Sequence, residues 1–389
     1  MKNKGRTVVQ GAFMALIAIA ILLNHLYLKD LIHRNLFSIG DLNPYGGFSA
    51  LKMAGTEIGY RFRGITRAMA LTIAITVTAL FMGRFFCGFI CPIGALQDWL
   101  FAFGRKLKFS VWKIEGKKAL YFEKIKYFFL LCLLVLSLVG GIQYIAAFSP
   151  YTAFLNVLSG LGFTLGVTTL ALIGLFSLFV KRPFCRFLCP LGAYQGLLAA
   201  VGLTRIKREV DCGACRHCLS NCPVDIVVTE DRSLSPECVQ CLNCVKAPCI
   251  RKKEGYQLFI LGKKVNPKKY RVIAMVLFIS LYLLLPLIQS PQESIALEAI
   301  QDGVYIGEGT GYGGIIQVRI QIEDGHVKTI EVLQQNETPV YFENAFHAFS
   351  KQMIEENRLK IDSVSGATAT GRGLQNAVLD AIRQGMTDH

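Results

Sequence analysis

The chain has 389 residues, 52% of them hydrophobic and 18% charged, with a formal net charge of +15 and a mean hydropathy of +0.42. It is too apolar for an average soluble protein. Its basic residues flank apolar runs, where lipid headgroups account for them, so the charge does not point to nucleic acid as a partner. All 13 cysteines lie before residue 250, which fits thiols in a reducing compartment better than disulfides.

A short basic start, Met1 to Arg6, leads into VVQGAFMALIAIAILLNHLYL. No small-x-small cleavage site follows, so a retained membrane helix is expected rather than a cleaved signal peptide. After a polar connection from Leu31 to Arg63, residues 65–83, 127–148, 154–180 and 272–289 supply four more apolar runs, the last expected to kink at Pro286. Each run approaches or exceeds the ~20 residues that span a bilayer, so the expected fold class is an integral α-helical membrane protein of about five spans, in contact with lipid. Lys and Arg crowd Arg84–Lys126 and Lys181–Arg271, while the link between the third and fourth runs has none. The positive-inside rule then makes both rich segments cytoplasmic and the C-terminal region extracytoplasmic. The Leu31–Arg63 connection runs against this assignment, since it carries Arg34, Lys52, Arg61 and Arg63.

Two stretches match at one fixed offset: Arg84-Phe85-Phe86-Cys87-Gly88-Phe89-Ile90-Cys91-Pro92 through Gln97, and Arg182-Pro183-Phe184-Cys185-Arg186-Phe187-Leu188-Cys189-Pro190 through Gln195. Cysteines at i and i+4 share one helix face, and each proline is placed to open the next helix. An amphipathic basic segment on the membrane surface is expected after each copy. Copies of like orientation are related by an axis along the membrane normal, which gathers Cys87, Cys91, Cys185 and Cys189 at the cytoplasmic interface. Four thiolates there suit a further redox metal site; the alternative is that the cysteines are small buried hydrophobes. Cys132, alone in an apolar run, is expected to pack.

From Asp211 the pattern changes. Cys212, Cys215, Cys218 and Cys222 precede Pro223 in a C-x2-C-x2-C-x3-C-P run, and Cys238, Cys241 and Cys244 repeat the first three spacings, with Cys249 following at x4 behind Pro248. This resembles the paired runs of bacterial two-cluster ferredoxins. The resemblance implies one [4Fe–4S] cluster on Cys212, Cys215, Cys218 and Cys249, and another on Cys238, Cys241, Cys244 and Cys222, the fourth ligand crossing between runs. Structural zinc and disulfides are the alternatives. His217 is expected to be a loop residue, not a ligand. Repeats and ferredoxin together, over residues 65–250, resemble the membrane polyferredoxins of quinol-dehydrogenase systems (the NapH-type subunit) and the C-terminal half of NosR-type proteins. That implies electron transfer between quinone-linked or cytoplasmic donors and redox partner proteins. A quinone is a further candidate cofactor, although no pocket for it can be read.

From Pro291 the chain holds 14 acidic and 7 basic residues. The stretch DGVYIGEGTGYGGIIQVRIQIEDGHVKTIEVLQQNETP alternates apolar and polar residues, with turns at Gly313–Gly314 and Asp324–Gly325, and predicts a small antiparallel sheet. Helices are expected near Tyr341–Glu356 and Gly373–Gln384. Between them, Asp362-Ser363-Val364-Ser365-Gly366-Ala367-Thr368-Ala369-Thr370 is a small-residue turn before a helix N-terminus. Such a turn suits a phosphate, or simply a capped helix. DSVSGAT resembles the D-x-x-[ST]-G-A-T motif of FMN-binding domains in the RnfG/NqrC family. The resemblance implies FMN joined by a phosphoester bond to Thr368, attached by a separate flavin transferase. Asp362 is then the motif acid, and Ser365, Gly366 and Ala367 its turn. The loops Gly311–Gly314 (with Gly313) and Asn336–Pro339 (with Glu337 and Thr338) also resemble that domain, and Thr370 is a second hydroxyl within reach.

The expected division is a membrane helical domain with two C-x3-C-P repeats (1–205), a two-cluster ferredoxin (206–256), a tether and last helix (257–295) and an FMN-binding domain (296–389). The expected role is transmembrane electron transfer in the cell membrane, as an electron-transfer protein or oxidoreductase subunit. The alternatives are a NosR-like redox sensor or maturation protein and a quinol dehydrogenase subunit. No hydrolytic arrangement of side chains stands out.

Overall fold

A computed structural model describes residues 4–28, 39–48, 65–112, 116–139, 149–158, 165–208, 217–220, 222–226, 228–229, 232–247, 255–287, 301–311, 313–356 and 368–387. The chain divides into two compact units: Met1–Ile17 with Thr72–Val157 and Phe163–Leu283, and Ala18–Leu71 with Leu158–Gly162 and Leu284–His389.

The first half is helical: α1 (Lys4–Leu28), α2 (Arg67–Met82), α3 (Phe85–Phe89), α4 (Pro92–Lys106), α5 (Gly116–Val139), α6 (Pro150–Leu158), α7 (Leu165–Ser177), α8 (Pro183–Phe187) and α9 (Pro190–Val201). Two described helices are long and apolar enough to cross a membrane, at Gly5–Leu23 and Pro267–Leu287. Only 17% of the apolar window in the second is buried, so it is not the core helix of a soluble domain. It belongs to α11 (Pro267–Leu284), numbered after the short helix α10 (Asn243–Lys246). Tyr270, Ala274 and Phe278, four residues apart on one face, are buried. Tyr270 donates to the Met82 carbonyl and Phe278 packs on Phe86, while Val272, Ile273, Val276 and Leu283 face outward. Arg67–Met82 and Gly166–Ser177 are shorter apolar helices. The expected kink at Pro286 is replaced by a stop: the α-helix ends at Leu284 and a 3-10 turn, Leu285–Leu287, carries the proline, which has no N–H to continue the ladder.

Each C-x3-C-P element is a broken helix. Cys87 sits inside α3 and Cys91 caps α4, with an extended backbone (φ −57°, ψ 119°) and Pro92 in the first turn. Cys185 and Cys189 repeat this in α8 and α9. Each proline opens a new helix, as expected, so the two cysteines of each pair sit on successive helices, one inside the first and one capping the second. The basic segment after the second copy, expected on the membrane surface, includes strand β1 (Thr204–Arg208), with Thr204 and Ile206 buried. It pairs antiparallel with β2 (Tyr256–Ile260), Ile206 opposite Leu258, and β2 pairs with β3 (Lys263–Lys264). The β1–β2 pair closes the ferredoxin-like segment at its two ends.

The C-terminal unit holds the meander β4 (Gly303–Thr310), β5 (Ile315–Glu323) and β6 (His326–Gln334), covered by α12 (Pro339–Glu356) and α13 (Thr368–Thr387). Ile316, Val318, Ile320 and Ile322 alternate inward from the central strand onto Phe342, Phe349, Leu374, Val378 and Ile382. The turn at Asp324–Gly325 has positive φ at both residues, as a tight hairpin requires. Helix α13 begins five residues before the expected start at Gly373. The glycine-rich strand is a seat for this helix: a Cβ on Gly307 would strike the Ala377 carbonyl, and one on Gly309 the Gly373 carbonyl. Gly309→Ala should therefore force the helix off the sheet and lower stability by about 1–3 kcal/mol, read as a lower thermal midpoint for this unit.

Candidate functional sites

The two copies of the repeat are offset by one constant interval and clasp each other through arginines. Arg182 Nη1 donates to the Cys87 carbonyl at 2.8 Å, and a Cβ on Gly94 would lie 3.2 Å from that guanidinium. Reciprocally, a Cβ on Gly192 would lie 2.8 Å from Arg84 Nη2 and 3.4 Å from the Cys185 carbonyl. Both guanidinium groups are buried. This pseudo-twofold brings Cys87, Cys91, Cys185 and Cys189 within electrostatic reach of one another. Gln97 Nε2 donates to Cys185 Sγ at 3.1 Å. Burial, reinforced by Cys185 and Cys87, pushes the Cys189 thiol up to about 12.

Buried arginines need carboxylates, and the two copies obtain theirs differently. Arg182 is held by Asp98 of the first copy at 2.9 and 2.6 Å, and Arg6 of α1 pairs with the same carboxylate. The position corresponding to Asp98 in the second copy is Gly196. A Cβ there would lie 3.2 Å from Glu237 Oε1 and 3.0 Å from the Tyr127 hydroxyl. Glu237, from the ferredoxin-like segment, fills the gap and binds Arg84, Lys126 and Tyr127. Burial would raise the Glu237 pKa, but Arg84 and Lys126 hold it below the usual carboxylate range.

The segment carrying Glu237 lies directly on the first copy. A Cβ on Gly88 would collide with the Val239 carbonyl and stand 3.6 Å from the Cys241 amide, and one on Gly83, whose φ is +65°, would meet Gln240 Nε2 at 2.9 Å. Cys238 and Cys241 are thus held against the helix that bears Cys87. Left-handed backbone at Gln240 and Leu242 wraps this loop, and Cys222, Cys238, Cys241 and Cys244 lie within electrostatic reach of one another. Burial first, then Cys241, pushes the Cys222 thiol up to about 12. Cys218 is half-buried in the turn His217–Leu219, where His217 is exposed. Cys212, Cys215 and Cys249 lie outside the described residues, so the first ligand set is represented by Cys218 alone. No three described His, Cys, Asp or Glu side chains close on a point as one ion requires. Thiols gathered in fours suit a larger iron–sulfur core whose positive irons stabilise the thiolates.

In the C-terminal unit the hub is Glu337, 6% exposed. Its Oε1 accepts from the Gly313 amide at 2.6 Å and its Oε2 from the Thr370 hydroxyl. It ties the loop Gly311–Gly314 and the Asn336–Pro339 loop to the first turn of α13. Thr370 is 2% exposed and committed to this bond. Thr368 is the first residue of α13, where free backbone amides and the dipole of a 20-residue helix favour a phosphate. Asp362, Ser365, Gly366 and Ala367 lie outside the described residues. Thr338 is exposed and serves through its carbonyl, which caps Phe342. Sequence reasoning missed Arg84, Arg182, Asp98 and Glu237; the only signal for them was an arginine repeated ahead of each cysteine pair.

Known proteins bear on both centres. A family model described as a 4Fe-4S binding domain matches residues 65–110 and 161–209, which are the two C-x3-C-P repeats, and an FMN-binding domain model matches residues 311–383. Relatives include YccM of Escherichia coli strain K12, 30% identical over 46% of this chain and 53% of YccM. The regulatory protein NosR of Pseudomonas aeruginosa is 31% identical over 48% of this chain and 27% of NosR. The ferredoxin-type protein NapH of Haemophilus influenzae is 29% identical over 44% of this chain and 62% of NapH. The chain thus spans about half the length of the first and about a quarter of the second. No solved structure matches it.

Removing the Glu237 carboxylate leaves Arg84 and Lys126 buried without an anion, at a cost of about 3–5 kcal/mol. Glu237→Leu should therefore speed hydrogen exchange in residues 237–244. Because the folded pKa of Glu237 is depressed, this contribution is complete above the unfolded carboxylate value, about 4.3. It is lost only as pH falls through the lower folded value, so protection factors in this segment, exchange rates corrected for the intrinsic pH dependence, should stay flat from neutral pH down to about 5.

Proposed function

We propose that this chain, a NosR/NapH-type membrane polyferredoxin joined to an FMN-binding domain, carries electrons between a cytoplasmic or quinone-linked donor and an extracytoplasmic acceptor. In this reading five helices span the cell membrane, lipid covers their outward apolar faces, and the basic segments hold the ferredoxin inside. One [4Fe–4S] cluster is held by Cys212, Cys215, Cys218 and Cys249 and another by Cys238, Cys241, Cys244 and Cys222. The cysteines of the C-x3-C-P repeats hold a further iron–sulfur group, and FMN is esterified to Thr368 by a flavin transferase acting from outside.

The observation that carries the reading is the seating of Glu237–Cys241 on the first repeat. A ferredoxin that served only as a soluble carrier would have no use for a carboxylate placed in a vacancy of the membrane repeat, nor for Gly83 and Gly88 beneath its cysteine loop. When bound, the clusters and the flavin supply one-electron and two-electron redox chemistry. The chain's own residues set position. Glu237 fixes the Cys238 loop on Arg84, the glycines allow backbone contact there, and Glu337 fixes the glycine loop against the turn that presents Thr368. The burial of Thr370 against Glu337 favours Thr368 as the acceptor hydroxyl.

Two measurements test this. On a denaturing gel under ultraviolet light the full-length protein should fluoresce; Thr368→Ala should abolish the band and Thr370→Val retain it. In proteoliposomes with reductant inside and acceptor outside, the loaded protein should sustain flow over many turnovers. Reduction that stops after one turnover would replace electron transfer with redox sensing.

A further inference from the structure

Gln97 and Gln195 occupy the same place in the two copies of the repeat, yet their amides fare differently. Gln97 is fully satisfied: Nε2 donates to Cys185 Sγ at 3.1 Å and to the Ile93 carbonyl at 3.2 Å, and Oε1 accepts from the Phe184 amide at 3.1 Å. Gln195 is 0% exposed and neither its Nε2 nor its Oε1 has a partner. A buried amide left unmet costs about 1–3 kcal/mol, and unmet buried groups in native folds mark strain, function or an absent ligand. The repeat says where this one belongs. The reciprocal arginine and glycine contacts show that the copies obey the pseudo-twofold at Arg84/Arg182 and Gly94/Gly192. The counterpart of the Gln97–Cys185 contact is a donation from Gln195 toward Cys87.

The charges around the cysteines point the same way. Among the described residues, the buried and half-buried ion-pair network of this unit joins six cations, Arg6, Arg84, Lys126, Lys181, Arg182 and Arg186, to four carboxylates, Asp98, Glu123, Asp225 and Glu237. Lys181 and Arg186 are balanced by Glu123 and Asp225. The excess lies in the two triads centred on Asp98 and Glu237, one on each side of the pseudo-twofold. An excess of two buried cations is costly unless an anion joins them, and an oxidised iron–sulfur cluster on four thiolates is a dianion.

We infer that Gln195, matched by Gln97 across the pseudo-twofold, donates its amide N–H to a sulfur of the iron–sulfur group held by Cys87, Cys91, Cys185 and Cys189, and that this pair of amides raises the group's reduction potential. The inference rests on the proposed iron–sulfur reading of those cysteines. Donation to cluster sulfur stabilises the reduced, more negative state, so loss of the donor lowers the potential. Gln195 acts as a positioning residue.

The test uses full-length, cluster-loaded protein in nanodiscs and an EPR-monitored redox titration. Cys87→Ala/Cys185→Ala identifies the signal of the site and the iron it holds. Gln195→Met, of similar length but without N–H donors, should keep that signal and iron content. Its midpoint should fall by about 59 mV, a tenfold change in a one-electron equilibrium. Gln97→Met should do likewise and serves where Gln195→Met does not accumulate. A midpoint unmoved in the variants overturns the inference and leaves the site reading standing. If the double cysteine variant loses neither iron nor signal, the site reading fails and the inference with it.

Discussion

Two guanidinium groups buried between the repeats, Arg84 and Arg182, govern the rest of the helical unit. Each is withdrawn from water and lies across the neighbouring repeat, at its cysteine helix. Withdrawing an ion costs several kcal/mol, recovered only with a well-placed counter-charge. The first repeat supplies the counter-charge for Arg182 of the second in Asp98. The second has Gly196, and the counter-charge for Arg84 arrives from a different part of the chain as Glu237. With both arginines present and only one acid, the clasp between the repeats is also a dock for the ferredoxin-like segment.

The same asymmetry extends to the backbone. Gly88 in the first copy leaves room for Val239 and the Cys241 amide, whereas the second copy has Arg186 at that position, paired with Glu123. The ferredoxin-like loop can approach one repeat closely and not the other. Electron transfer falls steeply with distance, so contact between the Cys238–Cys241 loop and the Cys87 helix is where a short path would be expected, on the side where no large side chain intervenes.

In the C-terminal unit the constraint is steric where the first is electrostatic. Gly307 and Gly309 let α13 lie on β4 at backbone contact, and Gly311 meets Gly373 where the helix begins its second turn. Glu337 then locks both loops to the first turn of α13. The start of α13 at Thr368 is placed by residues remote from it in sequence, so substitution at a glycine of the strand would move Thr368 without touching it.

How much was legible beforehand follows from which forces act locally. The alternation from Val304 to Val332, the Gly-containing turns, the cysteine spacings and the proline-opened helices α4 and α9 all express interactions within a few residues, and the amino-acid sequence alone determined them. Errors arose where a local pattern admitted two outcomes. The basic run at Thr204–Arg208, expected as a surface segment, became a strand because Tyr256–Ile260 offers it a partner. Tertiary structure alone decided the pairing of Arg84 with Glu237, of Glu337 with Thr370, and the isolation of the Gln195 amide, since each depends on groups brought together from distant parts of the chain. Spacing can say that a charge or an amide is present, but only the folded chain says what stands opposite it, and in a low-dielectric interior that neighbour sets its energy.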